Sequence, residues 1–371
     1  MIIGVPKEIK IQEYRVGLTP ASVRELIAHG HQVYVETNAG LGINCDDEAY
    51  EKEGAKILKT AAEIYAKADM IVKVKEPQVA EYALIREGQI LFTYLHLAPD
   101  PQQTEALIKS GCVAIAYETV TDQKGRLPLL APMSMVAGRL SVQAGANSLE
   151  KPRGGRGILL GGVPGVRPAK VVIIGGGVVG ENAARMAMGL NAEVLLLDKS
   201  HEVLQKFDFH FGGQMQTLYA TRAALENAIT DADLVIGAVL VPGKAAPKLV
   251  SKEMLKTMHP GAVLVDVAID QGGCFETSQA TTHENPTYVR DGIVHYCVTN
   301  MPGAVPRTST FALNNVTLPF VLNIANKGYK QALLEDPHLL NGLNVCFGQV
   351  TCEAVARDLN KVHVDAKASL H

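Results

Sequence analysis

Four polar residues fall where an apolar run stops, and the carboxyl ends of strands are where an open α/β sheet presents its ligands. His96 follows the run 90–95 and precedes Ala98-Pro99-Asp100-Pro101, a stretch that ends a strand. Lys75 closes the run 70–75 just ahead of Pro77, Asp270 closes 262–269 and precedes Gly272-Gly273, and Arg15 lies in the loop between Val5 and Leu18. Arginine and lysine are cations that hold a carboxylate, arginine through a planar fork. Histidine, with a reference pKa near neutrality, can give or take a proton. Aspartate can attract a cation or orient water, and glycines beside it let a cofactor approach. Each residue also has an ordinary reading: a surface histidine, a solvated strand-end lysine, a surface arginine, a turn-capping aspartate. Asp266, inside the run 262–269, reads as structural.

The strongest signal for a ligand is the stretch KVVIIGGGVVGENAARMAMGLNAEVLLLD, residues 170–198. A β-branched run at 171–174 predicts a buried strand, Gly175-x-Gly177-x-x-Gly180 follows without a spacer, and apolar residues recur at helical spacing over 178–190. A second strand at 193–197 leads to Asp198. This is the order and length of a dinucleotide-binding βαβ unit. Gly175 permits a tight turn, Gly177 the approach of a pyrophosphate, and Gly180 close packing of helix on strand. The N–H groups of the helix start, from Val178 onward, face the phosphates. Asp198 accepts hydrogen bonds from a ribose and repels a 2′-phosphate, so NAD is expected rather than NADP. Asn300 and Met301, after the strand 292–297, read as a loop bordering the nicotinamide or as plain turn residues.

The elements that must position these residues alternate. Strands are predicted at 2–5, 33–36, 70–75, 90–95 and 113–117, with helices after Thr19-Pro20, near 46–53, and at 61–68, 80–86 and 101–110. Such alternation predicts a parallel sheet with helices on both faces. Ala68-Asp69-Met70-Ile71-Val72 and Ala232-Asp233-Leu234-Val235-Ile236 echo each other, which suggests two related halves. A helix over 134–150 leads into the second half, and an apolar helix pattern over 308–330, broken by Pro319, must dock, so the first domain is discontinuous. The fold class expected is α/β: two doubly wound parallel-sheet (Rossmann-like) domains joined by long helices, with a cleft between them. The domains are 1–128 plus 307–371 for substrate and catalysis, and 129–306 for NAD.

At 371 residues, with 47% hydrophobic and 20% charged residues and a net charge of −3, the chain is long enough for two domains and has no basic patch for nucleic acid. The chain contains no run of about eighteen apolar residues, the length needed to cross a membrane. The opening MIIGVPKEIK lacks the features of a signal peptide, and six scattered cysteines without a C-x-x-C pair suggest reduced thiols, so a cytoplasmic protein is expected.

Gly4-Val5-Pro6-Lys7-Glu8, then Glu13, Arg15-Val16 and Thr19-Pro20, resembles the N-terminal signature shared by alanine dehydrogenases and the nucleotide-binding subunit of proton-translocating transhydrogenases. Residues 173–198 are similar to that family's second signature. VKVKEP, FTYLHLA, AYETV, LLGGVPGV, DVAIDQGG and NMPGAVP resemble alanine dehydrogenases along nearly the whole chain. The resemblance implies a substrate-binding pair at Arg15 and Lys75 and a catalytic pair at His96 and Asp270. It also implies NAD contacts at Ser134, Gly175, Gly177, Val178, Gly180, Asp198, Leu240, Ala268, Ile269, Asp270, Asn300 and Met301. Val203 and Ala220 stand where some relatives carry polar side chains. In some members a metal lies between the acid matching Glu118 and a histidine where this chain has Lys327; an ammonium has no lone pair, so no metal is expected.

The reaction implied is the NAD-dependent, reversible conversion of L-alanine to pyruvate and ammonia, in a homohexamer. Two rivals predict otherwise. A transhydrogenase subunit continues into membrane segments or meets a membrane partner, for which the closing VDAKASLH offers no apolar tail. An NAD-sensing module gives no reason for Arg15, Lys75, His96 and Asp270 to occur together.

Overall fold

The computed structural model describes residues 1–239 and 246–371. Two compact units divide the chain, Met1–Met133 with Val305–His371, and Ser134–Ala304. The first holds strands β1 (Ile2–Val5), β2 (Gln32–Glu36), β3 (Lys56–Leu58), β4 (Met70–Val72), β5 (Ile90–Thr93) and β6 (Val113–Ala116). The second holds β7 (Lys170–Ile174), β8 (Glu193–Asp198), β9 (Gln216–Tyr219), β10 (Leu234–Gly237), β11 (Val263–Asp266), β12 (Thr287–Arg290) and β13 (Ile293–Tyr296). β14 (Leu343–Cys346) and β15 (Gln349–Val350) return to the first.

Neighbouring strands run β15-β14-β6-β5-β4-β1-β2-β3 in one sheet and β12-β13-β11-β10-β7-β8-β9 in the other. Apart from β14, β15 and β12, which pair antiparallel, both sheets are parallel. In each the first strand lies centrally and the order reverses beside it, the doubly wound arrangement. The sequence echo has a structural basis. Asp69 Oδ2 accepts from Ile2 N at 2.7 Å and Asp233 Oδ2 from Lys170 N at 2.9 Å, so each aspartate secures the start of the central strand of its own sheet.

Local signals explain most elements. Thr19 accepts from Ser22 N to cap the helix Pro20–Ala28, Thr60 and Glu63 form a capping box on Ala61–Lys67, and Asp100 caps Pro101–Ser110. β5, β6, β10 and β11 are buried along their whole length, as apolar parallel strands are.

Four expectations are corrected. The strand predicted over 70–75 stops at Val72 because the N–H groups of Val74 and Lys75 turn to the Glu8 carboxylate. The strand predicted over 90–95 stops at Thr93 because Leu95 and His96 donate to Glu118. β11 ends at Asp266, not Asp270, which lies in the following turn Ile269–Gln271. Pro319 does not break its helix, which runs as Pro306–Lys327. Proline removes one donor there, but buried Leu313, Thr317, Val321 and Ile324 flank it. Asn314 ties the helix to the first unit, accepting from Thr19 N at 2.8 Å and donating to Gly17 O at 3.0 Å.

Candidate active site

Beyond the ends of β1 and β4 the first unit gathers six ionisable side chains: Glu8, Glu13, Arg15, Lys73, Lys75 and Glu81. Arg15 is 2% exposed, and its Nε and Nη2 each donate to a different oxygen of Glu13 at 2.6 Å, while Nη1 reaches Met133 Sδ at 3.1 Å. Burial works against the cation, but hydrogen bonds and charge from Glu13 hold it above the usual arginine value. Lys73, 1% exposed, pairs with Glu8 at 3.2 Å and Glu81 at 3.0 Å, and Tyr65 donates to the same Glu81 oxygen. Glu8 also accepts from Val74 N at 2.7 Å and Lys75 N at 3.2 Å. Burial pushes its carboxyl up, against the pull of Lys73.

Lys75 differs from Lys73 two residues away. Its ammonium has no ion pair among the described residues, and burial, then the neighbouring Arg15 charge, lowers its pKa. Among the described residues Lys75 lacks an ion pair of its own, and an added carboxylate would supply one.

His96 is held in the left-handed region at φ 50, a conformation that non-glycine residues adopt rarely and mostly under constraint. The constraint is visible. Glu118 accepts from His96 N at 2.6 Å and from Leu95 N at 3.1 Å, the Gln103 amide donates to Leu95 O at 3.0 Å, and the Thr104 hydroxyl donates to Leu97 O at 2.9 Å. The imidazole stays 45% exposed, stacks at 6° on the ring of Tyr94, and has Nδ1 3.8 Å from Glu118 Oε1. Arg15, Lys75 and His96 thus sit on loops at the carboxyl ends of β1, β4 and β5 of one sheet.

In the second unit the glycine turn joins β7 to the helix Val178–Gly189. Gly175 has φ +102, a Cβ on Gly180 would lie 1.9 Å from Gly175 O, and a Cβ on Gly177 would meet nothing within 4 Å. The tight turn, the close helix packing and an open approach therefore fall on the three glycines as their spacing predicts. Val178 is exposed at the helix start. Asp198 ends β8; it accepts from Gly176 N and Ser200 N, both at 2.7 Å. Beside it lies a cavity of about 520 Å³ lined by Gly175, Asp198, Ala220, Thr221, Val239 and Leu249 among others. An open glycine backbone, a helix N-terminus, a strand-end carboxylate and an apolar cavity fit the phosphates, ribose and adenine of a dinucleotide. Ala220 supplies apolar wall here. Val203 packs against the turn, its Cγ1 lying 2.4 Å from where a Cβ on Gly176 would be.

Asp270 is exposed in its turn, whereas Ala268 and Ile269 are buried. Asn300 is half-buried with φ 55, its carbonyl 3.2 Å from His283 Nε2, and Met301 is buried. Ser134 is half-buried in the helix Ala131–Ser148. Leu240 lies outside the described residues. Glu8, Glu13 and Glu118, which organise the charges, were missed from sequence as site residues; Glu8 and Glu13 stand in the N-terminal signature, but nothing in the chain signals their burial. Both Glu118 oxygens accept backbone N–H groups, and Lys327 pairs with Glu335 at 2.6 Å. Among the described residues no group of three or more histidine, cysteine, aspartate or glutamate side chains could hold a metal ion.

Comparison with known proteins adds relatives to this geometry. The family models described as "Alanine dehydrogenase/PNT" match at residues 4–137 for the N-terminal domain and 141–353 for the C-terminal domain. An alanine dehydrogenase of Halomonas elongata is 59% identical over 366 residues, 99% of each chain. One of Bacillus subtilis is 56% identical over 371 residues, covering 100% of this chain and 98% of its own. A solved L-alanine dehydrogenase superposes with a TM-score of 0.95 at 54% identity, over 97% of this chain and 99% of its own. A solved transhydrogenase from Sinorhizobium meliloti gives a TM-score of 0.84 at 25% identity, over 95% and 100%.

Proposed function

The chain belongs to the alanine dehydrogenase/PNT family, and from that premise we infer that it catalyses the NAD-dependent oxidative deamination of L-alanine to pyruvate and ammonia, and the reverse reductive amination. The observation that carries this reading is full-length identity above 50% to alanine dehydrogenases, joined to a buried Arg15 and a half-buried Lys75 suited to a small carboxylate. The transhydrogenase relation is more distant, at 25%. NAD, when bound, supplies the hydride acceptor.

We propose that the two sheets' strand ends divide the work. Arg15 and Lys75 hold the carboxylate of alanine or pyruvate. The Nε–Nη2 edge of Arg15 faces Glu13 and Nη1 faces Met133 Sδ, so a substrate carboxylate would meet the guanidinium beside these contacts, with the Lys75 charge nearby. Fixing the carboxylate fixes the α-carbon, so hydride leaves a positioned centre in a nearly unimolecular step. His96 hydrogen-bonds the pyruvate oxygen and moves the proton that accompanies its loss. Asp270 attracts the ammonium and orients the water that adds to the imine. Ser134, Gly175, Gly177, Val178, Gly180, Asp198, Leu240, Ala268, Ile269, Asp270, Asn300 and Met301 make the dinucleotide site; the glycine turn and Asp198 have the geometry described above, and the others are assigned by resemblance.

The division into a substrate domain, 1–128 plus 307–371, and an NAD domain, 129–306, follows from the same assignment. A cytoplasmic homohexamer is supported by family resemblance; no described helix is long and apolar enough to cross a membrane. The test is direct: NAD and L-alanine added to the purified protein should generate NADH absorbance, and pyruvate with ammonia should consume it. Failure in both directions, with NADH still bound, would leave the binding-module reading in its place.

A further inference from the structure

Asp266 ends β11, is fully buried, and has no part in the site described above. Its carboxylate is the hub of the loop that carries Asp270. Oδ1 accepts from Ala268 N at 3.0 Å; Oδ2 accepts from Cys274 N at 2.9 Å, from Phe275 N at 3.4 Å and from the Ser278 hydroxyl. The Cys274 thiol donates to Oδ1 at 3.5 Å. One side chain therefore ties the outgoing backbone at 268 to the returning backbone at 274–278, and the turn Ile269–Gln271 lies between the two ties.

Glycine makes the wrap possible. Gly272 and Gly273 have φ +88 and +77, and a Cβ on Gly273 would come within 2.6 Å of Asp266 Oδ2. Asp270 itself is exposed and makes no side-chain hydrogen bond among the described residues, so the loop backbone sets where its carboxylate points.

We propose that Asp266 is a positioning residue for Asp270, in an inference that rests on the role given to Asp270 above. The carboxylate offers acceptors on both sides, Oδ1 to the outgoing Ala268 N and the Cys274 thiol, Oδ2 to the N–H groups of Cys274 and Phe275 and the Ser278 hydroxyl. An asparagine would present an N–H₂ group to backbone donors on one side, and that limb would detach. A shift of about an ångström in a reacting group is enough to slow chemistry strongly.

The test uses full-length Asp266→Asn, Asp270→Asn and the double variant. Single-turnover hydride transfer, KM for pyruvate, NADH affinity by fluorescence and thermal midpoint are measured on each. Asp266→Asn, assayed well below its own midpoint, should transfer hydride about tenfold or more slowly, with pyruvate KM within about twofold of the parent. In the Asp270→Asn background the same change should slow transfer by less than about twofold, because residues acting as a unit are not additive.

A parental rate in folded Asp266→Asn, or losses that multiply in the double variant, overturns the proposal while leaving Asp270 its own role. If Asp270→Asn is silent alone, the role of Asp270 falls and this inference falls with it. Should Asp266→Asn not fold, Ser278→Ala removes a single return-side bond and replaces it in the same cycle. It should slow transfer a few-fold, and only where Asp270 is present; a parental rate in Ser278→Ala then overturns the proposal.

Discussion

The two sheets share the order of five strands, β5-β4-β1-β2-β3 in one and β11-β10-β7-β8-β9 in the other, and a device, an aspartate pinning the start of the central strand, yet their carboxyl ends are built from different materials. After β1, β4 and β5 come Glu8, Glu13, Arg15, Lys73, Lys75 and His96, side chains that carry or can carry charge. After β7 comes a glycine turn whose surface is backbone, with Asp198 at the end of neighbouring β8 accepting from Gly176 N. One end presents charged side chains, the other backbone shape and N–H direction. Substitutions at the first should therefore act on a small charged substrate, and substitutions at the second on the dinucleotide.

The largest expected effects come from the residues given proton work. His96→Ala and Asp270→Asn should each fold, bind NADH normally by fluorescence titration, and lose about a hundredfold or more in turnover, the scale of positioned acid–base groups. Asp270→Asn is the sharper of the two because it keeps shape and removes the base. Parental turnover in it would reduce Asp270 to a turn residue. Glu118→Gln probes the backbone that aims His96. An amide retains one acceptor oxygen for the N–H groups of Leu95 and His96, so a smaller loss, about tenfold, is expected.

The glycine end was legible in the chain, and the charged end was not. Strand, G-x-G-x-x-G, helix, strand and Asp198 are contiguous, so local signals fix the whole unit. Arg15, Lys75 and His96 come from three separate loops, and only resemblance joined them before the structure did. The strand ends were misread for a related reason: apolarity continues through Val74, Leu95 and Ile269, but distant carboxylates of Glu8 and Glu118, and that of Asp266 next door, take the N–H groups a ladder would need. β3 and β15, of three and two residues, carry too few residues for a period-2 signal.

Arg15→Ala comes next in size and tests whether charge at the first sheet serves substrate alone. Loss of charge-assisted hydrogen bonds worth about 1.5–3 kcal/mol should raise pyruvate and alanine KM by roughly ten- to a hundredfold, with NADH binding near normal. The change also removes the cation held by both Glu13 oxygens, so the variant should be less stable than the parent, read by denaturant unfolding. Equal weakening of NADH would break the division between the two ends.

Asp198→Ala is the matching test of the second sheet, with a smaller effect. It removes acceptors for a ribose and the repulsion of a 2′-phosphate, so NAD should weaken about tenfold while NADP becomes usable. Pyruvate KM measured at saturating cofactor should not move. An unchanged NAD to NADP preference would remove Asp198 from the cofactor site.

The smallest effect is a pH dependence at Lys75. Burial, with the adjacent Arg15 guanidinium, holds its ammonium below the usual lysine value. The cation is the form that holds a carboxylate, and it is lost as pH rises through that lowered pKa. The Lys75 contribution to pyruvate affinity should therefore be fully present on the acid side and fall as the solution becomes alkaline, earlier than an exposed lysine would allow. Titrating pyruvate into the NADH complex without ammonia isolates this limb, because ammonia's own titration drops out. Lys75→Arg keeps a cation throughout the accessible range, so its alkaline limb should disappear, even though its fork fits the site less well and its affinity at neutral pH falls by about tenfold or less. An alkaline limb that persists unchanged in Lys75→Arg would assign the titration to another group and leave Arg15 as the principal carboxylate contact.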